Sequence, residues 1–259
     1  MIITLFKYLN MDHQINLLKM IGKLNGLSFL HTKHGDFFRK KGGASRNQIK
    51  TNPAFAKTRE INKEFGEISR AGKWIRTSLR HITGTESDDL VVSRLVKQLA
   101  LVIKTDTTNL HGDRKVGFGL LTADGKAHLQ GFNFNINSEL RNVLKCNYHV
   151  DIASGVVSIP DFVTQNQLHF PVTATHCSIE SAWSEIDFVS GQFNYSISPA
   201  VSLAKDLTRQ NIVLTPAQQP TGKGILLVVL KVSFLREVKG RFYAVKNGAV
   251  NAMELVAIF

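Results

Sequence analysis

The chain has 259 residues, 43% of them hydrophobic and 20% charged, so it is long enough to bury a substantial core and too apolar for general disorder. Its formal net charge is +12, and the charge is uneven. Residues 1–115 contain 21 Lys+Arg against 10 Asp+Glu, whereas residues 116–259 contain 11 against 10. A basic first part favours an anionic partner there, such as nucleic acid, an acidic protein or a membrane surface, although solubility alone also explains it.

The two cysteines, Cys146 and Cys177, have no paired spacing, which excludes a disulfide framework. A single bridge between them stays open, but we expect two buried thiols in a reducing compartment. The apolar run in Met1–Gln14 is broken by Lys7 and lacks a small-residue cleavage site, so no secretory signal is predicted. The longest apolar run, Gly224–Leu230, predicts a buried strand, because a membrane helix needs about 20 apolar residues. We therefore expect a cytoplasmic protein, or part of an assembled particle, without a membrane span.

Residues 1–24 show no clear pattern, and Met11 offers a later start, so we interpret them as an N-terminal extension. Deletion of Met1–Asn10 is expected to leave thermal stability unchanged, because unanchored termini contribute little. Gly26–Gly43 then alternates apolar and polar residues on both sides of a turn at Lys33–Asp36. This pattern predicts a β-hairpin.

A long amphipathic helix is predicted next. Asn52 is a favoured N-cap, Pro53 suits the first helical position, and Gly84 marks the end. Apolar or small residues recur at steps of three and four, which is the spacing of one helix face. They are Phe55, Thr58, Ile61, Phe65, Ile68, Gly72, Ile75, Leu79 and Ile82.

Ser87–Asp89 predicts the cap of a second helix, and the short loop between the helices predicts an antiparallel helical hairpin. The apolar residues of this helix are Leu90, Val91, Leu95, Leu99, Val102 and Ile103. We expect Phe65 and Ile75 to be buried against the second helix near Leu95 and Leu99. Replacing Phe65 with Ala should then cost about 3–5 kcal/mol.

From Asn109 onward, short segments alternate with turn residues. Val116–Leu121 predicts a strand, Ala123–Gly125 a turn, Phe132–Ile136 a period-two segment and Ser138–Lys145 one short helix. Further strands are predicted at Tyr148–Ile152, Val156–Ile159, Ala174–Trp183, Phe193–Ile197, Ile212–Leu214, Ile225–Glu237, Arg241–Val245 and Ala252–Phe259. The last three predict a meander with turns at Lys239–Gly240 and Asn247–Gly248.

The predicted fold class is α+β, with an N-terminal β-hairpin and two-helix unit followed by an antiparallel β-sandwich-like part. The predicted divisions are an extension over residues 1–24, a basic unit over residues 25–110 and a β-sandwich, or two small sheets, over residues 111–259.

Three segments resemble an uncharacterised protein family widespread in Bacteroidota-type bacteria. They are GLSFLHTKHGDFFRKKGG (residues 26–43), TNPAFAKTREINKEFG (residues 51–66) and FLREVKGRFYAVKNGAVNA (residues 234–252). The chain departs from the family pattern at Leu30, His34, Asn52, Ile61, Arg236 and Lys239. The resemblance reaches both ends of the chain and implies one coherent unit, but the family brings no known chemistry.

Two groups of cations are candidates for contact with a polyanion or a protein partner. They are Arg39, Lys40, Lys41 and Arg46 in the loop after the hairpin, and Arg70, Lys73, Arg76 and Arg80 on one side of the first helix. Basic residues near a helix C-terminus also suit the helix dipole without any partner. Nucleic-acid binding would use these charges, with Phe37, Phe38 and Trp74 stacking on bases.

Other patterns give no catalytic or metal site. His31, His34 and Asp36 lack zinc-site spacing, and His176 and Cys177 point to opposite faces of a strand. The acids Glu180, Glu185 and Asp187 flank Trp183, but exposed acids on a strand and turn explain them. Pro220–Gly224 departs from the phosphate-loop motif.

These observations predict a non-catalytic binding or assembly protein that contacts a protein partner, or copies of itself, through its basic N-terminal part. The alternative is nucleic-acid or polyanion binding through the Lys40–Arg80 region, and a hydrolase ranks third. No cofactor and no metal are expected. A mobile-element or virion component fits the assembly interpretation.

Overall fold

The predicted hairpin forms the centre of a four-stranded antiparallel sheet. The computed structural model describes residues 12–13, 21–25, 27–32, 34–40, 42–84, 87–245 and 250–259. The strands are β1 (Asp12–His13), β2 (Gly22–Leu24), β3 (Leu27–Thr32) and β4 (Gly35–Lys40), in the spatial order β1-β4-β3-β2. Phe29 lies opposite Phe38, with ring centroids 6.2 Å apart. Two strands therefore come from the predicted extension, whereas Met1–Asn10 lies outside the described residues.

The chain divides into two compact units, residues 1–56 and residues 57–259. The first unit ends with helix α1 (Arg46–Thr51) and a 3₁₀ turn at Pro53–Phe55. The Asn52 side chain accepts a hydrogen bond from the backbone N–H of Ala54 at 2.9 Å, so the predicted cap is confirmed. The predicted boundary after residue 110 falls inside the second unit.

The second unit contains the two predicted helices. The long one is divided into α2 (Ala56–Ser78) and α3 (Arg80–Thr83), and it is followed by α4 (Val91–Val102). A Cβ atom on Gly72 would lie 3.4 Å from Cδ1 of Leu99, so α2 packs closely on α4 there. None of the helices described by the structure is long and apolar enough to cross a membrane.

The apolar face predicted for the first helix, which we call the α2 seam, is buried only in its second half. Ile75 is 1% exposed, as predicted, but Phe65 is 58% exposed and Ile61 is 57% exposed, so the prediction for Phe65 was wrong. The inward positions of the first half are occupied by Glu64 and Glu67, which are 9% and 4% exposed. The buried face of α2 therefore passes from carboxylates to apolar residues at Ile68.

Two further predictions were wrong, because the expected strand and turn are helices α5 (Val116–Leu120) and α6 (Ala123–Leu129). The Thr122 hydroxyl accepts a hydrogen bond from the backbone N–H of Gly125 and caps α6. A Cβ atom on Gly125 would lie 2.0 Å from the carbonyl oxygen of Gly119, so only glycine permits this crossing. Short apolar runs of this kind fit a buried helix as well as a strand.

The rest of the unit is β-structure with two short helices. The helices are α7 (Leu140–Val143) and α8 (Thr164–Gln167). The strands are β5 (His149–Val150), β6 (Val157–Val163), β7 (His176–Ile186), β8 (Phe193–Ile197), β9 (Val201–Ala204), β10 (Arg209–Leu214), β11 (Ile225–Val238), β12 (Arg241–Ala244) and β13 (Ala252–Ile258). One antiparallel sheet has the order β10-β6-β5. The other has the order β12-β11-β7-β8, with β13 also paired to β11 and β9 to β7.

The larger sheet is buried on both faces. On β11, Leu227 and Val229 belong to the core shared with the helices, whereas Val228 and Leu230 belong to the core shared with the smaller sheet. Helices, larger sheet and smaller sheet thus form three layers. The continuous apolar run of β11 follows from this, because neither face meets water. The predicted α+β class with a sandwich-like sheet part is confirmed.

The C-terminal segment is not a meander. The predicted turn is present, with positive φ at Lys239 and Gly240. However, β13 pairs with β11 from Leu227 to Val232, on the edge opposite to β7, and β12 pairs further along that same edge. The predicted turn at Asn247–Gly248 lies outside the described residues.

Candidate binding cleft

A cleft of about 720 Å³ lies within the second unit, and we call it the α2 cleft. Its wall elements are α2, α5, the turn at residues 187–192 and the loop at residues 221–224. Its large apolar side chains are Trp74, Phe118, Leu121, Ile186, Phe188, Val189, Ile225 and Phe259. Leu121 and Val189 are 68% and 86% exposed, so much of this apolar surface is open to an incoming group.

Four charged residues line the same cleft. They are Glu67, Arg70, Lys115 and Lys223. The Glu67 carboxylate lies 2.7 Å from Nη2 of Arg70 and 3.5 Å from Nζ of Lys115. Glu67 is buried, whereas the side chains of Arg70 and Lys115 are 61% and 44% exposed, so the cations reach solvent above a buried acid. With three cationic side chains and one acidic side chain, the side chains that line the cleft have a net positive charge.

The backbone at Lys115 is fixed by a second buried acid. Oδ2 of Asp106 accepts a hydrogen bond from the backbone N–H of Lys115 at 2.8 Å, and Oδ1 accepts from the N–H groups of Thr108 and Asn109. Burial alone would raise the pKa of Asp106, but a hydrogen bond from the Asn109 side chain, together with these backbone hydrogen bonds, outweighs it and lowers the pKa below its ordinary value. The ionised carboxylate therefore stabilises the turn before α5.

A third buried acid fixes the loop that contains Lys223. Oε1 of Glu185 accepts a hydrogen bond from the backbone N–H of Lys223 at 2.7 Å, and Oε2 accepts from the N–H and hydroxyl of Thr221 at 3.0 and 2.6 Å. Burial would raise the pKa of Glu185, but the hydrogen bonds from Thr221, Lys223 and Gly224 lower it overall. The ionised carboxylate of Glu185 is thus bound by the 221–224 loop.

At two glycines, the backbone packs directly against the aromatic side chains of the apolar wall. Trp74 and Phe188 meet edge to face, with ring centroids 6.2 Å apart. Gly191 has φ +78°, and a Cβ atom there would lie 2.5 Å from Trp74. A Cβ atom on Gly117 would lie 2.8 Å from Cβ of Phe188. Glycine at both positions therefore lets α5 and the 187–192 turn close directly onto the aromatic pair.

The three acids that flank Trp183 in the sequence are each held by hydrogen bonds or by an ion pair. Glu185 is bound by the 221–224 loop, Asp187 accepts hydrogen bonds from Val189 and Ser190, and Glu180 lies 3.0 Å from Nζ of Lys231. Burial raises the pKa of Cys146 to about 11 and that of Cys177 to about 12, so neither thiol is ionised at neutral pH. Among the described residues, no cluster of His, Cys, Asp and Glu could hold a metal ion.

Three of the predicted cations of the first unit, Arg39, Lys40 and Arg46, are exposed, but the prediction that they lie in a loop was wrong. Arg39 and Lys40 end β4, and Arg46 begins α1. Lys41 lies outside the described residues. Because these cations and those of α2 belong to different units, binding of one polyanion by both groups stays a prediction.

The predicted cations of the second unit do not all line the same cavity. Arg70 lines the α2 cleft, whereas Arg76 and Arg80 line another cavity of about 360 Å³. Nε of Arg76 donates a hydrogen bond to the carbonyl oxygen of Gly72 at 3.1 Å, so this side chain is half-buried along its own helix. Lys73 and Arg80 are exposed and form no ion pair with another described residue.

Sequence reasoning identified Arg70 but missed Lys115 and Lys223 as its neighbours. In the sequence, residues 220–224 only departed from a phosphate-loop motif, and Glu185 was only one of three acids near Trp183. No periodic signal joins Arg70 to residues that lie 45 and 153 positions further along the sequence. No protein-family model, curated protein or solved structure matches this chain.

Proposed function

We propose that the protein is a non-catalytic binding or assembly protein that contacts an acidic partner protein through the α2 cleft. The observation that carries the proposal is the combination of open apolar walls with cations whose backbone is fixed by the buried acids Asp106, at Lys115, and Glu185, at Lys223. This arrangement favours binding, because the backbone that carries these cations does not have to be ordered when the partner arrives. Two of the three cations, Arg70 and Lys115, belong to the basic first part of the chain, from which partner contacts were expected.

A different acidic protein fits the cleft better than a second copy of this chain. The chain has a net charge of +12, so two copies repel each other. Cations around an apolar centre instead attract an acidic surface and fix its orientation, while apolar contacts supply most of the affinity. We therefore expect binding that weakens with salt without being abolished by it.

The test uses the full chain and three proteins: the wild type, Lys223→Glu and Lys104→Glu. Lys223 lines the cleft, whereas Lys104 is exposed outside it, so the two variants carry the same charge change. A partner captured from the source cells is identified, purified and titrated against each protein. The proposal predicts a complex that Lys223→Glu weakens at least tenfold and Lys104→Glu leaves unchanged. Equal binding by both variants would refute the cleft as the contact surface.

Polyanion binding is the second candidate, and one observation favours it. His81 stacks on Tyr195 with ring centroids 5.1 Å apart and planes 11° apart, close in sequence to the exposed Arg80. Exposed rings beside cations are typical of surfaces that bind single-stranded nucleic acid. A DNA or RNA titration at several salt concentrations tests it. A steep fall in affinity with salt, and its loss in the Arg76→Glu/Arg80→Glu variant, which leaves the cleft residue Arg70 in place, would support this candidate over the cleft.

A further inference from the structure

We infer that the α2 cleft binds a peptide segment in which a large apolar side chain lies next to a carboxylate, and that Glu67 lowers the affinity by competing for the same cations. This inference rests on the proposed function and names the chemistry of the partner.

The apolar part of the ligand follows from the walls. Phe188 is 6% exposed and forms the floor with Trp74, while Phe118 and Leu121 are 39% and 68% exposed at the rim. An aromatic or branched aliphatic side chain would cover these groups and remove their apolar surface from water. A cleft of this size holds one or two such side chains with their backbone.

The carboxylate follows from the cations. Arg70 and Lys115 share the single carboxylate of Glu67, and Lys223 forms no ion pair with another described residue. An incoming carboxylate would therefore meet three cations of which only two are partly neutralised. Arg70 also offers the planar fork that matches a carboxylate.

The same arrangement argues against a nucleic-acid strand here. Phe188 is buried and its edge-to-face partner is Trp74, so neither ring offers a free face in a continuous stacking row. Glu67 lies among the cations and would repel each phosphate that follows the backbone. A short segment with one or two acids avoids this repulsion, since its carboxylate can bind beside Lys223.

Glu67 is the residue that makes the inference specific. Its carboxylate is buried, its partners are the cations that a ligand would use, and it lies in the cleft itself. Glu67→Gln keeps the shape of the side chain and removes the competing charge. A simple loss of packing would weaken binding, whereas loss of a competitor must strengthen it. We expect about threefold tighter binding at low salt, from the charge–charge interaction at the surface of a protein.

The experiment titrates the full chain with the blocked tetrapeptide acetyl-Glu-Leu-Phe-Glu-amide by calorimetry at low and high salt. Two control peptides replace both acids with Gln, or both apolar residues with Ala. The inference predicts that the parent peptide binds more tightly than either control and that salt weakens only the acidic peptides. Equal binding of the Gln peptide, or tighter binding of a free fatty acid such as dodecanoate, would overturn it.

The second part of the experiment titrates protein variants with the parent peptide. Lys223→Gln should weaken the parent peptide about three- to fivefold, as expected for an exposed ion pair, and Leu121→Ser should weaken it without changing the salt dependence. Glu67→Gln should tighten binding, and Lys104→Gln should change nothing. Melting temperatures measured for each variant separate loss of binding from loss of folding. Weaker binding by a folded Glu67→Gln protein would refute the role given to Glu67.

The experiments distinguish failure of the proposed partner contact from failure of the proposed ligand chemistry. If the purified partner depends on Lys223 but no short peptide binds, the cleft remains the contact surface and the ligand chemistry is wrong. If the peptide binds as described but the partner ignores Lys223→Glu, the ligand chemistry is right and the proposed partner contact is wrong.

Discussion

Glu185 and Lys223 are 38 residues apart, yet the carboxylate of Glu185 accepts the backbone N–H of Lys223 at 2.7 Å. The hydrogen bond joins the end of β7 to the loop that places a cation in the α2 cleft. Glu185, which the sequence predicted to be an exposed acid, is therefore buried and acts as a positioning residue. Its importance is open to direct measurement.

Glu185→Gln should lower the free energy of unfolding by about 2–4 kcal/mol, because a buried carboxylate that accepts several hydrogen bonds is replaced by an amide with one acceptor oxygen. The amide nitrogen would face the N–H donors of the 221–224 loop. Denaturant unfolding measures the change, with Glu237→Gln as a control at an acid that is 42% exposed. Equal stability of the two variants would show that the loop does not depend on Glu185.

Acid should destabilise the fold through carboxylates whose pKa is lowered. In Asp88, Asp106 and Glu185, burial raises the pKa, but hydrogen bonds lower it overall. A lowered folded pKa contributes stability above the unfolded pKa of about 4, and this stability is lost as pH falls through the folded value. These three groups should thus make the melting temperature fall below about pH 4. A melting temperature that does not change down to about pH 3 would contradict this, and Glu185→Gln should reduce the fall.

The two halves of the α2 seam should respond differently to truncation. Ile75→Ala should cost about 2–5 kcal/mol, because it leaves a cavity in the core shared with α4. Phe65→Ala should cost less than about 1 kcal/mol, because Phe65 is largely exposed. Paired unfolding measurements test the difference, and a larger cost at Phe65 would place that ring in a contact that the structure does not show.

Gly191→Ala should destabilise the cleft wall more than Gly222→Ala. Both residues have positive φ, +78° and +73°, so the backbone strain is similar. Only at Gly191 would the new Cβ atom clash with Trp74, at 2.5 Å. The extra cost should be about 1 kcal/mol or more, and it should change Trp74 fluorescence in a Trp183→Phe background. Equal costs for the two variants would mean that the wall yields without strain.

The sequence by itself determined the elements whose signals are local. The hairpin, the Asn52 cap, the α2 periodicity and most strands after residue 147 are set by turn residues, capping groups and alternation over a few positions. These patterns act within one element, so they can be interpreted without knowing its neighbours. The α+β class follows from their order along the chain.

Only the tertiary structure decided which side chains meet. Apolar runs such as Val116–Leu120 become helices because glycines allow close crossings there, and the first half of α2 buries Glu64 and Glu67 because donors from other segments reach them. The α2 cleft joins Arg70, Lys115 and Lys223, which are separated by 45 and 108 positions. Their proximity depends on how α5 and the 221–224 loop pack around Trp74 and the end of β7, and no local pattern encodes that packing.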